Sequence, residues 1–284
     1  MKRVVSIDIV RGLVMIIMAL DHTRDLMHVT SITEVPTNLL TTTPALFFTR
    51  WITHFCAPTF VFLSGASAYL SKKRVSDLSA TRKFLVSRGL WLIVIEFTLV
   101  NFGVWFDMHF SVFLFDVIAT IGVGFLALAL LLKSSTRTIL IVGLAIIFLH
   151  NLSSFIPFDE ASVLKKIVMP FFAPGAVPFG NGRLFLMGYP PIPWLGIMLT
   201  GFAAGRIFEL PVIKRKRMLL KIGLASLSLF IIIRAINIYG DSFPWAVQRS
   251  SLFTLLSFIN VTKYPPSLVF CLLTLGVMFV VLSL

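Results

Sequence analysis

Eight apolar runs, each close to the length that crosses a lipid bilayer, fill most of this 284-residue chain. They cover residues 9–27, 46–70, 84–105, 111–132, 138–156, 191–208, 218–239 and 265–284. Charged residues make up 13% of the chain, whereas soluble domains carry about 25%. The composition excludes a soluble enzyme, and a spanning helix needs about 20 apolar residues. The sequence therefore predicts an all-α fold, a polytopic transmembrane helical bundle of about eight spans.

The basic residues between these runs predict the orientation of the chain. When the spans alternate, most of them fall on one side: Lys2, Arg3, Lys72–Arg74, Arg82, Lys83, Arg88, Lys133, Arg137, Lys214–Arg217 and Lys221. Because cytoplasmic loops carry the excess of Lys and Arg, we expect the N-terminus in the cytoplasm. The net charge of +13 then marks topology and not a nucleic-acid partner. We expect a multi-pass protein of the bacterial inner membrane, with the lipid bilayer as its surroundings.

The segments on the opposite side, residues 28–45, 157–190 and 240–264, are longer than the basic turns. Loops of this length in a compact protein are usually functional. The run Met169–Gly175 is apolar but rich in proline, which predicts an interfacial or re-entrant piece. No internal repeat divides the chain, so we expect a single domain over residues 1–284. The last run stops at Leu284 without anchoring residues, which is consistent with truncation at the C-terminus.

The first apolar run carries charged residues at helical spacing, and charges inside spans default to functional candidates. Asp8 and Arg11 are three residues apart and can pair on one face. His22 follows Arg11 by eleven residues, which places both on the same face, roughly 16 Å apart. An arginine can hold a phosphate, and a histidine can exchange a proton near neutral pH. Asp21 and Asp25 are close enough in sequence to orient the His22 ring.

Further polar residues inside spans extend this pattern. Arg50 and His54 are four apart on one face of the second run. All five histidines fall near the outward ends of their predicted helices: His22, His28, His54, His109 and His150. Arg206 and Arg234 lie near helix ends, and we expect both to extend to the interface. Gly201 and Gly205 form a G-x-x-x-G that predicts helix packing.

Several motifs resemble a known family. The opening segments, VSIDIVRGL from Val5 and MALDH from Met18, resemble those of the DUF1624 membrane proteins. Three further stretches fit the same family: RWITHFCAPTFVFLSG from Arg50, YPPIPWLGIMLTGFAAG from Tyr189 and TKYPPSLVFCLLTLG from Thr262. These proteins resemble the catalytic domain of heparan-α-glucosaminide N-acetyltransferase. The Arg11-to-His22 spacing is also similar to the R-x10-H pattern of the wider transmembrane acyltransferases.

The resemblance implies a bundle of about ten helices that moves an acyl group from cytoplasmic acyl-CoA to an acceptor on the other side of the membrane. It implies that His22 matches the catalytic histidine and Arg11 the arginine associated with acyl-CoA. Arg50 and His54 belong to the narrower motif only. The helices that the family carries after the last span, including a late segment with another histidine, have no counterpart in this sequence.

We therefore expect transfer of an acyl group, by preference acetyl, from acetyl-CoA to an amine or hydroxyl of a sugar or cell-envelope glycan. His22 acts either as a general base or as a transiently acylated nucleophile. The predicted catalytic residues are His22, Asp21, Asp25 and His54. The predicted residues for binding acyl-CoA are Arg11, Asp8 and Arg50, and no metal site is predicted. The partners are acyl-CoA, a carbohydrate acceptor and the lipid bilayer, and an oligomer is compatible with the sequence.

Two other classes of function stay open from the sequence. Asp8, Arg11, Glu96 and Asp116 could form an ion or proton path in a transporter or channel, although no inverted repeat supports one. A membrane scaffold without catalytic activity could use the same residues only to fix helix packing. Outward polar residues that could hold an acceptor are Asn101, Asp107, His109, Asn151 and Tyr189.

Overall fold

The computed structural model describes residues 4–29, 34–75, 77–155, 162–180 and 182–284. Five helical stretches among them are long and apolar enough to cross a membrane: Pro44–Arg74, Leu78–Trp105, Thr136–Ser153, Pro191–Glu209 and Val212–Ile236. Two shorter apolar helices are Val117–Leu131 and Leu268–Ser283. The predicted all-α polytopic bundle is confirmed, because every predicted apolar run contains a helix.

The elements follow one another as helices with one small group of strands. In chain order they are α1 (Val5–Met27), α2 (Pro44–Trp51), α3 (Cys56–Arg74), α4 (Leu78–Ile95), α5 (Asn101–Trp105), β1 (Val112–Phe115), α6 (Val117–Leu131), α7 (Thr136–Leu149), α8 (Val163–Val168), β2 (Gly175–Phe179), β3 (Arg183–Met187), α9 (Pro191–Ala204), α10 (Val212–Ile236), α11 (Ser251–Ile259) and α12 (Leu268–Ser283). A 3-10 turn, Ile52–Phe55, joins α2 to α3, and a π-helical turn, Glu96–Val100, joins α4 to α5.

The chain divides into two compact units, and unit 1 combines residues 1–60, 207–263 and 267–284. Its most extensive helix–helix interface is between α10 and α12. Gly223 permits this contact, because a Cβ there would lie 2.9 Å from the carbonyl oxygen of Gly276. α2 and α11 meet through the buried side chains of Phe47, Phe253 and Leu256. α1 lies against the Ile52–Phe55 turn and α12, so its buried face is covered by polar as well as apolar groups.

Unit 2 combines residues 61–206 and 264–266. Its helices pack as α4 against α6, α7 against α9, and α6 against α9. Close backbone approach holds α9 to α3, because a Cβ on Gly201 would lie 2.1 Å from the carbonyl oxygen of Phe62. A Cβ on Gly205 would lie 2.6 Å from the ring of Tyr69. The prediction that Gly201 and Gly205 serve helix packing is confirmed.

Unit 2 also contains a three-stranded sheet that the sequence analysis did not predict. The strand order is β1-β3-β2, with β1 parallel and β2 antiparallel to β3. Glycines join β2 to β3, and Gly182 has a φ of +72°, a conformation that glycine adopts without strain. Pro178 lies in the edge strand β2, where no second neighbour needs its missing N–H.

Two predicted boundaries differ from the structure. The fourth apolar run does not start as a helix at residue 111, because residues 112–115 form β1 and Asp116 then caps α6 by accepting a hydrogen bond from Val117 N at 2.8 Å. The run from Met169, predicted to be an interfacial or re-entrant piece, starts as a 3-10 turn over Met169–Phe171 that leads into β2, and its position relative to the membrane stays a prediction. The expectation of a single domain over residues 1–284 stays a prediction.

Candidate functional site

Helix α1 of unit 1 buries one face that is apolar at its start and charged at its end. Its buried side chains are Ile7, Val10, Val14, Asp21 and Arg24. The thiol of Cys56 donates to the carbonyl oxygen of Val14 at 3.3 Å, which fixes the start of α3 against the middle of α1. Continuing along the same face, Asp21 meets α2 and the turn that follows it.

The Asp21 carboxylate is the centre of a cluster of charged and polar side chains. Its Oδ1 atom accepts hydrogen bonds from Arg24 Nη2 and, at 2.8 Å, from Arg50 Nη1. Thr53 Oγ1 lies 2.8 Å from the same oxygen, and Arg50 Nη1 lies 3.0 Å from Oδ2. Asp21 is 9% exposed, so these partners replace the water that a carboxylate otherwise requires. We call this group, Asp21, Arg24, Arg50 and Thr53, the Asp21 cluster.

Asp25 extends the Asp21 cluster towards the surface. Arg24 donates to Asp25 Oδ1 from Nη2 at 2.6 Å and from Nε at 3.1 Å. Arg24 Nη1 also donates to the carbonyl oxygen of Thr49 at 2.9 Å. Arg50 Nη1 is 3.7 Å from Asp25 Oδ2, and the Asp25 side chain is 47% exposed. The two arginines therefore bridge a buried carboxylate and an accessible one.

His54 and Lys263 complete the site. His54 is 5% exposed, its ring lies 5.6 Å from that of Phe270, and its Nδ1 atom has no hydrogen-bond partner among the described residues. Lys263 is buried and interacts electrostatically with Asp21 and His54. An imidazole nitrogen that has no partner among the described residues is available to a bound substrate. The site thus combines a candidate proton acceptor with fixed charges of both signs.

The structure brings together four of the seven predicted site residues and leaves three elsewhere. Asp21, Asp25, Arg50 and His54 lie in or beside the Asp21 cluster. His22 is exposed on a different side of α1. Asp8 interacts electrostatically with Arg11, as their spacing predicted, and Arg11 is half-buried.

Arg50 does not lie beside Arg11. It bonds to Asp21, which is ten residues further along α1 than Arg11, or about 15 Å at the rise of an α-helix. The two arginines therefore cannot hold the same phosphate. Their roles in binding acyl-CoA stay predictions. Of the two, only Arg11 lies in the N-terminal half of α1, the half that follows Lys2 and Arg3 in the sequence.

Three residues of the site were missed by the sequence analysis. Arg24 follows Asp21 by three residues, and this spacing on a helix is a usable signal for an ion pair. Thr53 and Lys263 give no such signal, because each reaches the site only through the tertiary fold.

Arg234 departs from its prediction. We expected it to extend to the membrane interface, but its side chain is buried and bonds to backbone carbonyl groups and Asp241. One of these carbonyl groups, that of Phe243, belongs to the following loop and the others to the end of α11, so the guanidinium finds its partners inside unit 1.

The outward residues predicted to hold an acceptor have structural contacts within unit 2. Asn101 donates to the carbonyl oxygens of Glu96 and Leu114 and so fixes β1 to the π-helical turn. Hydrogen bonds from the backbone N–H groups of Ser111 and His109 hold the pKa of Asp107 below its usual range. The hydroxyl of Tyr189 lies 3.3 Å from that of Tyr264. His109 is exposed and Asn151 is buried.

The membrane-capable helices define the chain as a polytopic integral membrane protein with a buried ionic cluster at the end of one helix. Comparison with models of protein families assigns the chain to one family. The family model described as heparan-alpha-glucosaminide N-acetyltransferase, catalytic, matches residues 3–239, and the chain belongs to this family. The resemblance predicted from the motifs is confirmed, and the family is one of acetyltransferases. Comparisons with curated proteins and with solved structures found no significant match.

Proposed function

We propose that the protein transfers an acetyl group from acetyl-CoA to an amine or hydroxyl of a sugar or glycan on the opposite side of the membrane. Membership of the acetyltransferase family supports the reaction type. The observation that carries the proposal is the buried His54, whose Nδ1 atom has no partner among the described residues and which lies beside an ion pair of Asp21 and Arg50. This arrangement suits a general base that works away from bulk water.

In the proposed reaction, the acceptor nitrogen or oxygen attacks the thioester carbonyl of acetyl-CoA. The new C–N or C–O bond forms as the C–S bond breaks, and the sulfur leaves with the bonding electron pair. His54 takes the proton of the acceptor and passes it to the leaving thiolate. Asp21 is the carboxylate that favours the positive charge that His54 carries in between. The nearby Lys263, Arg50 and Arg24 oppose this charge and so promote release of the proton to the thiolate.

The donor is proposed to enter at the other end of α1. Arg11, paired with Asp8, is the candidate for the phosphates of CoA, and a guanidinium is well suited to phosphate oxygens. On the orientation predicted from the basic turns, this end faces the cytoplasm. His22 remains the histidine that the family pattern favours as a base, so the two histidines have to be separated by experiment.

The test is a transfer assay with the protein in liposomes. Radiolabelled acetyl-CoA is supplied on one face and glucosamine on the other, and acetylated glucosamine is measured. We expect His54→Ala to lower the rate by about 100-fold or more, since general base catalysis contributes 10²- to 10⁴-fold. His109→Ala is the matched control, because His109 is exposed, lies in unit 2 and was predicted at most to hold the acceptor, so this variant should keep its kcat.

The outcomes separate the assignment of the base from the function. Loss of transfer in His54→Ala, with His22→Ala and His109→Ala active, supports the proposal. Loss of transfer in His22→Ala alone would support acetyltransferase activity but would identify His22, the histidine of the family pattern, as the general base. Absence of transfer by the unmodified protein, with solute flux in its place, would contradict the function.

A further inference from the structure

A cleft with two chambers lies at the C-terminal end of α1 in unit 1. The first chamber has a volume of about 580 Å³, and the second one of about 520 Å³. His28, Thr43 and Leu46 line both, so the chambers adjoin. Each is large enough for a ligand fragment of the size of a sugar, because complete pockets for small molecules measure about 300–1,000 Å³.

The two chambers differ in the chemistry of their walls. The first combines polar residues, His28, Glu34, Thr41, Thr42 and Thr43, with apolar Val35, Pro36 and Leu46. The surface of the second is mostly apolar, from Leu20, Met27, Ala45 and Leu46, although Thr23, Arg24 and Thr49 also line it. The cleft therefore becomes more apolar from the first chamber to the second, which matches the distribution of polarity in an amphiphilic molecule.

The cleft is connected to the proposed reaction site. Arg24 lines the second chamber and bonds directly to Asp21, and Thr49, whose carbonyl oxygen accepts from Arg24, lines the same chamber. The predicted donor residue Arg11 is nine residues before Leu20, or about 14 Å along α1. Since the donor is proposed at that far end, the cleft is left for the second substrate.

We propose that this cleft binds an amphiphilic acceptor, with a hydroxylated head group in the first chamber and a hydrocarbon chain in the second. The inference rests on the proposed function and narrows its acceptor to a sugar that carries an apolar chain. The threonine hydroxyls and Glu34 provide both donors and acceptors of hydrogen bonds to a polyol head. The apolar wall adds specificity for the chain, because each buried methylene strengthens binding by a factor of about 4.

The test compares two acceptors with the same head group, glucosamine and its hexyl glycoside, in the liposome assay with acetyl-CoA. We expect a KM for the hexyl glycoside that is at least about 10-fold lower, as burial of two methylenes would give. Leu46→Asn and Ala45→Asn should each remove most of this advantage. Because Ala45 lines only the second chamber, Ala45→Asn should raise the KM for the hexyl glycoside by more than that for glucosamine. Leu40→Asn is the matched control, because Leu40 is 81% exposed in the preceding segment and lines neither chamber.

The control also corrects for partition of the hexyl chain into lipid, which is equal for all variants.

A second readout needs no turnover: a hexyl glucosaminide with a diazirine in its chain should label the segment that contains Leu20 and Met27 on irradiation. Labelling without transfer would support the cleft while contradicting the proposed function. Equal KM values for both acceptors, or no labelling of this segment, would overturn the inference. It would also be overturned if Leu46→Asn impaired the use of hexanoyl-CoA instead, since the chamber would then hold the acyl chain of the donor.

Discussion

Two buried guanidinium clusters lie in unit 1, and they are built from different partners. Arg234 is 2% exposed and its ion pair with Asp241 measures 3.4 Å. Its other bonds all go to main-chain carbonyl oxygens, those of Phe243 at 3.0 Å, Ser257 at 3.1 Å, Phe258 at 2.9 Å and Asn260 at 2.8 Å. Asp241 also accepts from Thr262 and Ser267, so the ion pair joins the loop after α10 to the segment between α11 and α12.

The Asp21 cluster depends far more on side chains. Arg24, Arg50 and Thr53 all bond to the Asp21 carboxylate. Beside them lies His54, whose Nδ1 atom has no hydrogen-bond partner among the described residues. Backbone carbonyl groups are held by the helices and loops to which they belong, whereas side chains can exchange partners when a substrate enters. The comparison indicates that Arg234 maintains the fold, and it supports the proposal that the Asp21 cluster takes part in chemistry.

The largest effect is expected from Arg234→Met. This change removes the Arg234 donor from four carbonyl groups and the ion-pair partner from the buried Asp241 carboxylate, so we expect the free energy of unfolding to fall by about 3–5 kcal/mol. The measurement is unfolding of the purified protein in mixed micelles. Transfer per folded molecule should be unchanged at a temperature where the variant is still folded.

Arg249→Met is the control for this prediction. Arg249 is an exposed arginine of the same loop, and its guanidinium lies 3.8 Å from the centre of the Phe253 ring. An exposed contact of this kind contributes about 0.5–1 kcal/mol. If both variants lost equal stability, the burial of Arg234 would have no energetic consequence and the comparison would fail.

Helices were predictable from the sequence because a spanning helix satisfies its own backbone hydrogen bonds. Local composition is therefore enough to locate it. The strands β1 to β3 were missed for the opposite reason. Their hydrogen bonds join residues 112–115 to 184–187 and residues 175–179 to 183–187, which are distant or turn-linked in sequence. β1 lies in a run apolar enough to resemble part of a helix, and β2 and β3 lie in the segment 157–190, which was predicted only as a long outward segment.

The same distinction explains the candidate site. Asp21 and Arg24, or Arg50 and His54, are neighbours on a helical turn, and such pairs can be recognised by spacing. Spacing gave no means of joining the two pairs, nor of adding Lys263, which lies more than 200 residues away in the sequence. It also could not separate the buried Asp21 from the exposed His22, although they are adjacent residues.

The second prediction tests whether the Asp21 cluster is chemical or structural. Asp21→Asn keeps the shape of the side chain but removes the charge that balances Arg50 and Lys263. We expect acetyl transfer to fall by about 100-fold, equivalent to about 2.7 kcal/mol. The free energy of unfolding should change less than in Arg234→Met, because the amide oxygen still accepts a hydrogen bond.

Asp77→Asn is the matched control for Asp21→Asn. Asp77 is exposed and caps α4, accepting from Ser79 N at 2.8 Å, and asparagine caps a helix equally well. We expect neither transfer nor stability to change in this variant. A loss of stability in Asp21→Asn as large as in Arg234→Met, with transfer retained, would show that both clusters serve the fold.

The smallest effect is expected from Thr53→Val, which removes one hydroxyl from the Asp21 cluster at nearly constant volume. Thr53 is buried, and the substitution removes its hydrogen bond to Asp21 Oδ1 while the bonds from Arg24 and Arg50 remain. We expect a loss of about 1 kcal/mol in stability and a decrease of roughly 5-fold in transfer, because the arginines can shift. Thr98→Val is the control, since the exposed Thr98 hydroxyl bonds only to the carbonyl oxygen of Val94 in its own helix. If transfer instead fell as far as in Asp21→Asn, the arginines would be unable to replace the lost hydrogen bond. The claim that side chains of the Asp21 cluster can exchange partners would then be wrong.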